Sequence, residues 1–129
     1  DWSSDVCSSD LRFGLPVMKA IKLSVSADRA AADAYMGIAD RLLFDAKTPP
    51  GMKGALPGGN AVSFDWTLLT GAKLPLPWML SGGLTPENVA EAVRVSGAQA
   101  VDVSSGVEDR PGHKDPVRIA RFLQAVKSL

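Results

Sequence analysis

Cysteine is almost missing: Cys7 is the only one in 129 residues, so no internal disulfide can form and a cytoplasmic setting is the default expectation. An excess of either charge is missing too. Fourteen basic residues face fourteen acidic ones, and no run of Lys and Arg offers a footprint for nucleic acid or a membrane surface. No apolar stretch approaches the roughly 20 residues that span a bilayer. The N-terminus lacks a basic segment followed by an apolar run, so no secretion signal is expected. What remains, 46% hydrophobic and 22% charged residues, fits one soluble globular domain.

Residues 1–11, DWSSDVCSSDL, are polar, acidic and unlike the rest of the chain. Read back into codons, the string resembles a translated sequencing adapter, and it is expected to be a disordered tail outside the fold. Cys7 then leaves the list of candidate nucleophiles or bases. Without Asp1, Asp5 and Asp10 the remainder, residues 12–129, carries a charge of about +3.

From Leu15 onward short apolar runs alternate with helical patterns, the signature of parallel β/α units. Strands are predicted at residues 16–23, 41–45, 77–81 and 99–103. An Ala-rich helix is predicted at 27–38, closed by Gly37. Pro and Gly punctuate residues 48–60 too densely for regular structure, and so long a loop is usually functional. Asp65 is expected to cap a short helix over 66–69. Thr85–Pro86 reads as a helix start, with Val89, Ala92 and Val93 on its inner face. Asp115–Pro116 starts the last helix, with Ile119, Phe122, Leu123 and Val126 as its buried stripe.

In such folds ligands bind where strands end. Ser81-Gly82-Gly83 follows the third predicted strand and Ser104-Ser105-Gly106 the fourth. Glycines let N–H groups approach an anion closely, and helix starts carry partial positive charge, so the pair is expected to clamp a phosphate. Asp45 closes the second strand on the face opposite Phe44, and no helix start follows it, which favours catalysis over capping. Asp102 shares parity with Ala100 and Ser104, which makes it either a site-facing carboxylate or one side of a structural ion pair. His113 is expected to be solvated, Trp66 and Trp78 to pack, and Lys19 to be a layer residue whose tip finds water or a partner.

The segments LLFDAK (42–47), GGNAVSFDW (58–66), PWMLSGGLTPENV (77–89) and VDVSSGVEDRPGHKD (101–115) resemble phosphoribosylanthranilate isomerase in order and spacing. The resemblance implies an α/β fold, a partial (β/α)8 TIM barrel made of strands five to eight, that is, the C-terminal half of the family's barrel over residues 12–129. It implies an Amadori rearrangement of N-(5′-phosphoribosyl)anthranilate in tryptophan biosynthesis, with no metal or cofactor and a small phosphosugar substrate as the partner. Asp45 falls at the family's general acid, Gly82, Gly83, Ser104 and Ser105 at its phosphate-binding loops, and Asp102 at an active-site carboxylate. Ala61 stands where Gly is common. The family's general base, a cysteine closing its first strand, has no counterpart here, and neither do its substrate-carboxylate arginine and its strand-four histidine. The chain is therefore expected to be inactive alone and open to self-association through barrel edges. Two alternatives stay open: another phosphosugar barrel enzyme, and a half-barrel that only binds phosphate or self-associates.

Overall fold

The computed structural model describes residues 12–23, 26–46 and 66–129. The adapter-like stretch with Cys7, the punctuated loop at 48–60, Ala61 and the Asp65 cap lie outside the described residues.

Alternation builds the sheet. In β1 (Met18–Leu23) Lys19, Ile21 and Leu23 are buried, while Met18, Ala20 and Lys22 are exposed. β2 (Arg41–Ala46) pairs with it in parallel, and β3 (Trp78–Ser81) pairs in parallel with β2, giving the order β1-β2-β3. Leu42, Phe44 and Leu80 have no exposed surface and face the helical layer, where Ala32, Trp66, Leu69, Leu84, Val89, Ala92 and Phe122 complete the core. Each large side chain so buried contributes about 1.5–3 kcal/mol. Trp78 meets the Phe44 ring edge-on at 5.8 Å. Lys19 lays its stem into this layer and holds its ammonium 5.0 Å from the Tyr35 ring centroid.

The crossover from β1 to β2 is wound as a 310 helix over Ser26–Tyr35 rather than the expected α-helix. A 310 run of that length is uncommon, and nothing in the Ala-rich sequence explains the tighter winding. Gly37 follows in the left-handed region (φ 78°) and turns the chain back towards β2. After β3 the regular helix α1 runs Val89–Ser96, three residues later than the expected start at Pro86 after the Thr85 cap. The expected capping chemistry is present one turn earlier. Thr85 N–H donates to Asn88 Oδ1 (2.7 Å) while Asn88 N–H donates to Thr85 Oγ1 (3.3 Å). α2 (Pro116–Lys127) begins where the sequence places it, with Asp115 Oδ1 accepting from Val117 N–H at 2.8 Å. Of its apolar stripe, Phe122 is buried and Val126 partly so, whereas Ile119 and Leu123 remain exposed.

The expected partial barrel, with strands five to eight as four paired parallel strands, is corrected. The segment at 99–103 contributes one bridge, Leu80↔Val101, held by Leu80 N–H to Ala100 O (2.9 Å) and Asp102 N–H to Leu80 O (2.8 Å). Pairing stops there because the backbone leaves the extended region at Ser104 (φ −128°, ψ −85°) and enters a 310 turn over Ser105–Val107. The chain then forms an antiparallel ribbon where the sequence suggests plain loop: β4 (Glu108–Arg110) and β5 (His113–Lys114), hinged at Gly112 (φ 80°). His113 is exposed there, and its Nδ1 lies 2.7 Å from Asp109 Oδ1.

Candidate active site

The face of the sheet turned away from the core carries the polar residues. Lys22, Asp45 and Ser81 are in register on β1, β2 and β3, one position beyond the buried row Ile21, Phe44 and Leu80. Parallel pairing puts their side chains on the opposite face from that row. The Leu80↔Val101 bridge extends the arrangement one strand further, and Ser81 Oγ donates to Asp102 Oδ2 at 2.9 Å. Among the described residues Asp102 is held by that hydroxyl and forms no ion pair. A lysine, two carboxylates and a hydroxyl thus line the carboxyl ends of adjacent strands.

Asp45 is half-buried and reaches a groove of about 310 Å³ along β1, lined also by Lys19, Ala20, Ile21, Lys22, Ala31 and Tyr35 but by neither Asp102 nor the glycine–serine turns. A larger cavity, about 740 Å³, opens at the other ends of the strands beside Arg41, Pro77 and Gln99. It contains no acid–base pair, and parallel α/β sheets bind ligands at their carboxyl ends. The carboxyl ends of the strands, where Asp45, Ser81 and Asp102 stand in a row, are therefore the candidate site.

The two glycine–serine turns meet beside the carboxylates. Gly82 (φ 91°) and Gly83 (φ 64°) are both left-handed, a conformation that would strain any other residue. Asn88 Nδ2 donates to Gly83 O at 2.9 Å, so the residue that completes the Thr85 cap also ties down the glycine turn. The second turn touches the first directly. A Cβ on Gly106 would fall 1.7 Å from Leu84 O, so only a bare backbone permits the approach. Among the described residues the N–H groups of Gly83 and Ser105 donate to no protein acceptor. Donors of this kind, gathered on adjoining turns, suit an anion.

Behind the second turn, Lys114 Nζ donates to Ser104 O (3.0 Å), to Ser104 Oγ (3.1 Å) and to Glu108 Oε1. The Lys114 hydrogen bond, aided by the Gly112 N–H on Oε2, holds the Glu108 carboxyl below the usual carboxylate range.

The structure therefore brings Asp45, Asp102, Gly82, Gly83, Ser104 and Ser105 to one end of the sheet. Sequence reasoning misses Lys22, Asn88, Lys114 and Glu108, and the bond from Ser81 to Asp102. Strand parity with Asp45 signals Lys22. The Pro-Gly pair at 111–112 signals the hairpin that sets Glu108 opposite Lys114.

Among the described residues no cluster of His, Cys, Asp and Glu suits a metal ion, and no helix is long and apolar enough to cross a membrane.

Known proteins of one kind resemble this chain closely. The profile described as "N-(5'phosphoribosyl)anthranilate (PRA) isomerase" matches residues 4–125. The N-(5'-phosphoribosyl)anthranilate isomerase of Paramagnetospirillum magneticum is 64% identical over 117 residues, covering 91% of this chain and 54% of that protein. That of Rhodospirillum centenum is 63% identical over 116 residues, covering 90% and 54%. The crystal structure of phosphoribosyl anthranilate isomerase from Thermotoga maritima superposes with a TM-score of 0.74 at 38% identity, over 94% of this chain and 56% of that one. A structure of such an isomerase in complex with reduced 1-(o-carboxyphenylamino)-1-deoxyribulose 5-phosphate gives 0.67 at 34% identity, covering 94% and 53%. The chain spans about half the length of the curated relatives it matches. Superposition over 94% of the chain places it in the compact α/β, (β/α)8-type fold of these isomerases, which overturns its reading as a partial barrel limited to strands five to eight.

Proposed function

The chain belongs to the N-(5′-phosphoribosyl)anthranilate isomerase family, and from that premise we propose that it carries the phosphate clamp and general acid of an aldose-to-ketose isomerisation in tryptophan biosynthesis. The substrate would be N-(5′-phosphoribosyl)anthranilate and the product 1-(2-carboxyphenylamino)-1-deoxyribulose 5-phosphate. The observation that carries this reading is the contact between the two turns, Gly106 against Leu84, on the same end of the sheet as Asp45 and Asp102.

The substrate phosphate sits on the N–H groups of Gly82, Gly83, Ser104 and Ser105. Asp45 gives a proton to the ribose ring oxygen as the C1′–O bond breaks, and the nitrogen lone pair completes a Schiff base. Loss of the C2′ proton to a base gives an enolamine, which tautomerises to the ketone. A carboxyl donates near neutral pH only when its neutral form is favoured, and the negative charge of a bound phosphosugar acts in that direction. Asp102, which accepts from Ser81 Oγ, is a further active-site carboxylate in this reading.

The family resemblance puts the general base on a cysteine in a part of the relatives that this chain does not match, and Cys7 lies in residues 1–11, which we keep outside the working unit. The chain alone is therefore inactive in this reading. The test mixes it with the remaining portion of a family member and follows the fluorescence of phosphoribosylanthranilate. Turnover is expected only in the mixture and is lost with Asp45→Asn. Undiminished turnover by that variant would remove Asp45 from the mechanism.

A second reading, a phosphate-binding module that self-associates, is favoured by one feature: among the described residues β1 pairs only with β2, leaving its other edge open. A dimer by light scattering that binds phosphate but stays inert in the mixture would select it.

A further inference from the structure

Lys114 stands outside the row of carboxylates, and the reaction just described gives it no task. Its ammonium has three N–H bonds, and the protein supplies three acceptors: Ser104 O at 3.0 Å, Ser104 Oγ at 3.1 Å and Glu108 Oε1. With every donor engaged, Lys114 is poorly placed to grip an anion itself. Its effect falls on Ser104. Because Ser104 Oγ accepts from Nζ, the hydroxyl hydrogen is directed away from Lys114 and is left to donate outward; among the described residues it has no protein acceptor.

We propose that Lys114 is a positioning residue that presets the Ser104 hydroxyl and carbonyl so that the turn meets a phosphoryl group with its donors already aimed. Glu108 holds the lysine in place. It faces Lys114 across the ribbon, its side chain is only 14% exposed, and its second oxygen is fixed by Gly112 N–H at 3.2 Å. Arg118 anchors the same residue from α2, donating to Glu108 O at 2.7 Å. The order so imposed reaches the other turn, since Gly106 rests on Leu84. Preorganisation of this kind strengthens binding by lowering the ordering cost.

The inference rests on the reading of Ser104 and Ser105 as phosphate ligands, and its test separates the two. Inorganic phosphate is titrated into the whole 129-residue chain while the amide resonances of Gly83 and Ser105 are followed, with thermal unfolding run alongside. Lys114→Met is expected to weaken binding about tenfold, and adding Ser104→Ala to it should cost little more, because both act through one hydroxyl. Glu108→Gln gives the sharper result. Removing a negative charge beside an anion site should tighten binding by simple Coulomb attraction, whereas loss of the clamp weakens it. This variant also decides the matter if Lys114→Met does not fold. Folded Lys114→Met binding phosphate like the parent, or Glu108→Gln binding it more tightly, overturns the inference while leaving the phosphate turns standing. No saturable shift in the parent chain overturns both.

Discussion

Gly106→Ala is a severe single-methyl change at the junction of the two turns. The added Cβ would lie 1.7 Å from Leu84 O, 2.8 Å from Leu84 C and 3.2 Å from Thr85 Cα. None of these is the tip of a flexible side chain, so no rotamer change relieves the overlap. To reach even 3.0 Å the carbonyl must retreat by about 1.3 Å, and it belongs to Leu84, whose side chain is buried in the core. Overpacking of this kind costs about 1–3 kcal/mol, and the backbone origin of the clash argues for the upper part of that range. At this chain length that lowers the melting temperature by roughly 3–5 °C per kcal/mol. Gly83→Ala is the control. Gly83 is left-handed (φ 64°), but a methyl group there would meet nothing within 4 Å, so only conformational strain of about 1 kcal/mol applies. Urea denaturation and phosphate titration of both variants check the ranking. Gly106→Ala should lose more stability than Gly83→Ala and should weaken phosphate binding by separating the turns. Equal costs, or a Gly106→Ala chain with parental stability, would refute the contact on which the clamp depends.

Three further outcomes can be measured with the same chain. Phe44→Ala removes a fully buried ring from the middle strand and should cost about 3–5 kcal/mol by denaturant titration, with the site lost only through unfolding. Glu108 has its pKa lowered in the folded state by Lys114 and Gly112, so its stabilising contribution is full above the ordinary carboxylate range and disappears as pH falls through the depressed value. The stability gap between the parent and Glu108→Gln, measured from about pH 7 down to about pH 3, should therefore close towards the acid end. Deleting residues 1–11 should leave both melting temperature and phosphate affinity unchanged; a loss of either would return that stretch to the fold.

Periodicity made the three paired strands legible. Residues 41–45 alternate so that Leu42 and Phe44 must share a face, and the same parity put Asp45 on the other one. The Asp115–Pro116 pair marked the start of α2 for an equally local reason, since a capping acid and a first-position proline need no tertiary partner. What escaped depends on approach between distant residues. The sequence Ser104-Ser105-Gly106 shows that a glycine is present, but not that Leu84 O lies where its Cβ would go. The fourth strand failed because alternation over residues 99–103 is only a tendency to extend, and the turn entered at Ser104 ends the pairing after one bridge. Lys114 and Glu108, six residues apart around a Pro-Gly turn, look like two ordinary surface charges until the ribbon sets them in register.

The division between the two faces of the sheet explains how a small unit can hold a costly set of polar groups. Leu42, Phe44 and Leu80 keep the middle of the helical face apolar, with Lys19 the one charged residue of β1 buried on it, so the burial that stabilises the fold does not depend on what stands opposite. The other face is then free to line up Lys22, Asp45, Ser81 and Asp102 without an unpaired charge in the core. Substitutions should accordingly separate by parity along a single strand. In β2, changes at Leu42 or Phe44 act on stability first. A change at Asp45, one position on, should leave the core intact and, in the proposed reading, act on chemistry. The turns are the exception, because Gly106 rests its bare backbone on Leu84 O, so a substitution there should disturb the packing of both turns and, in the proposed reading, the phosphate site with it.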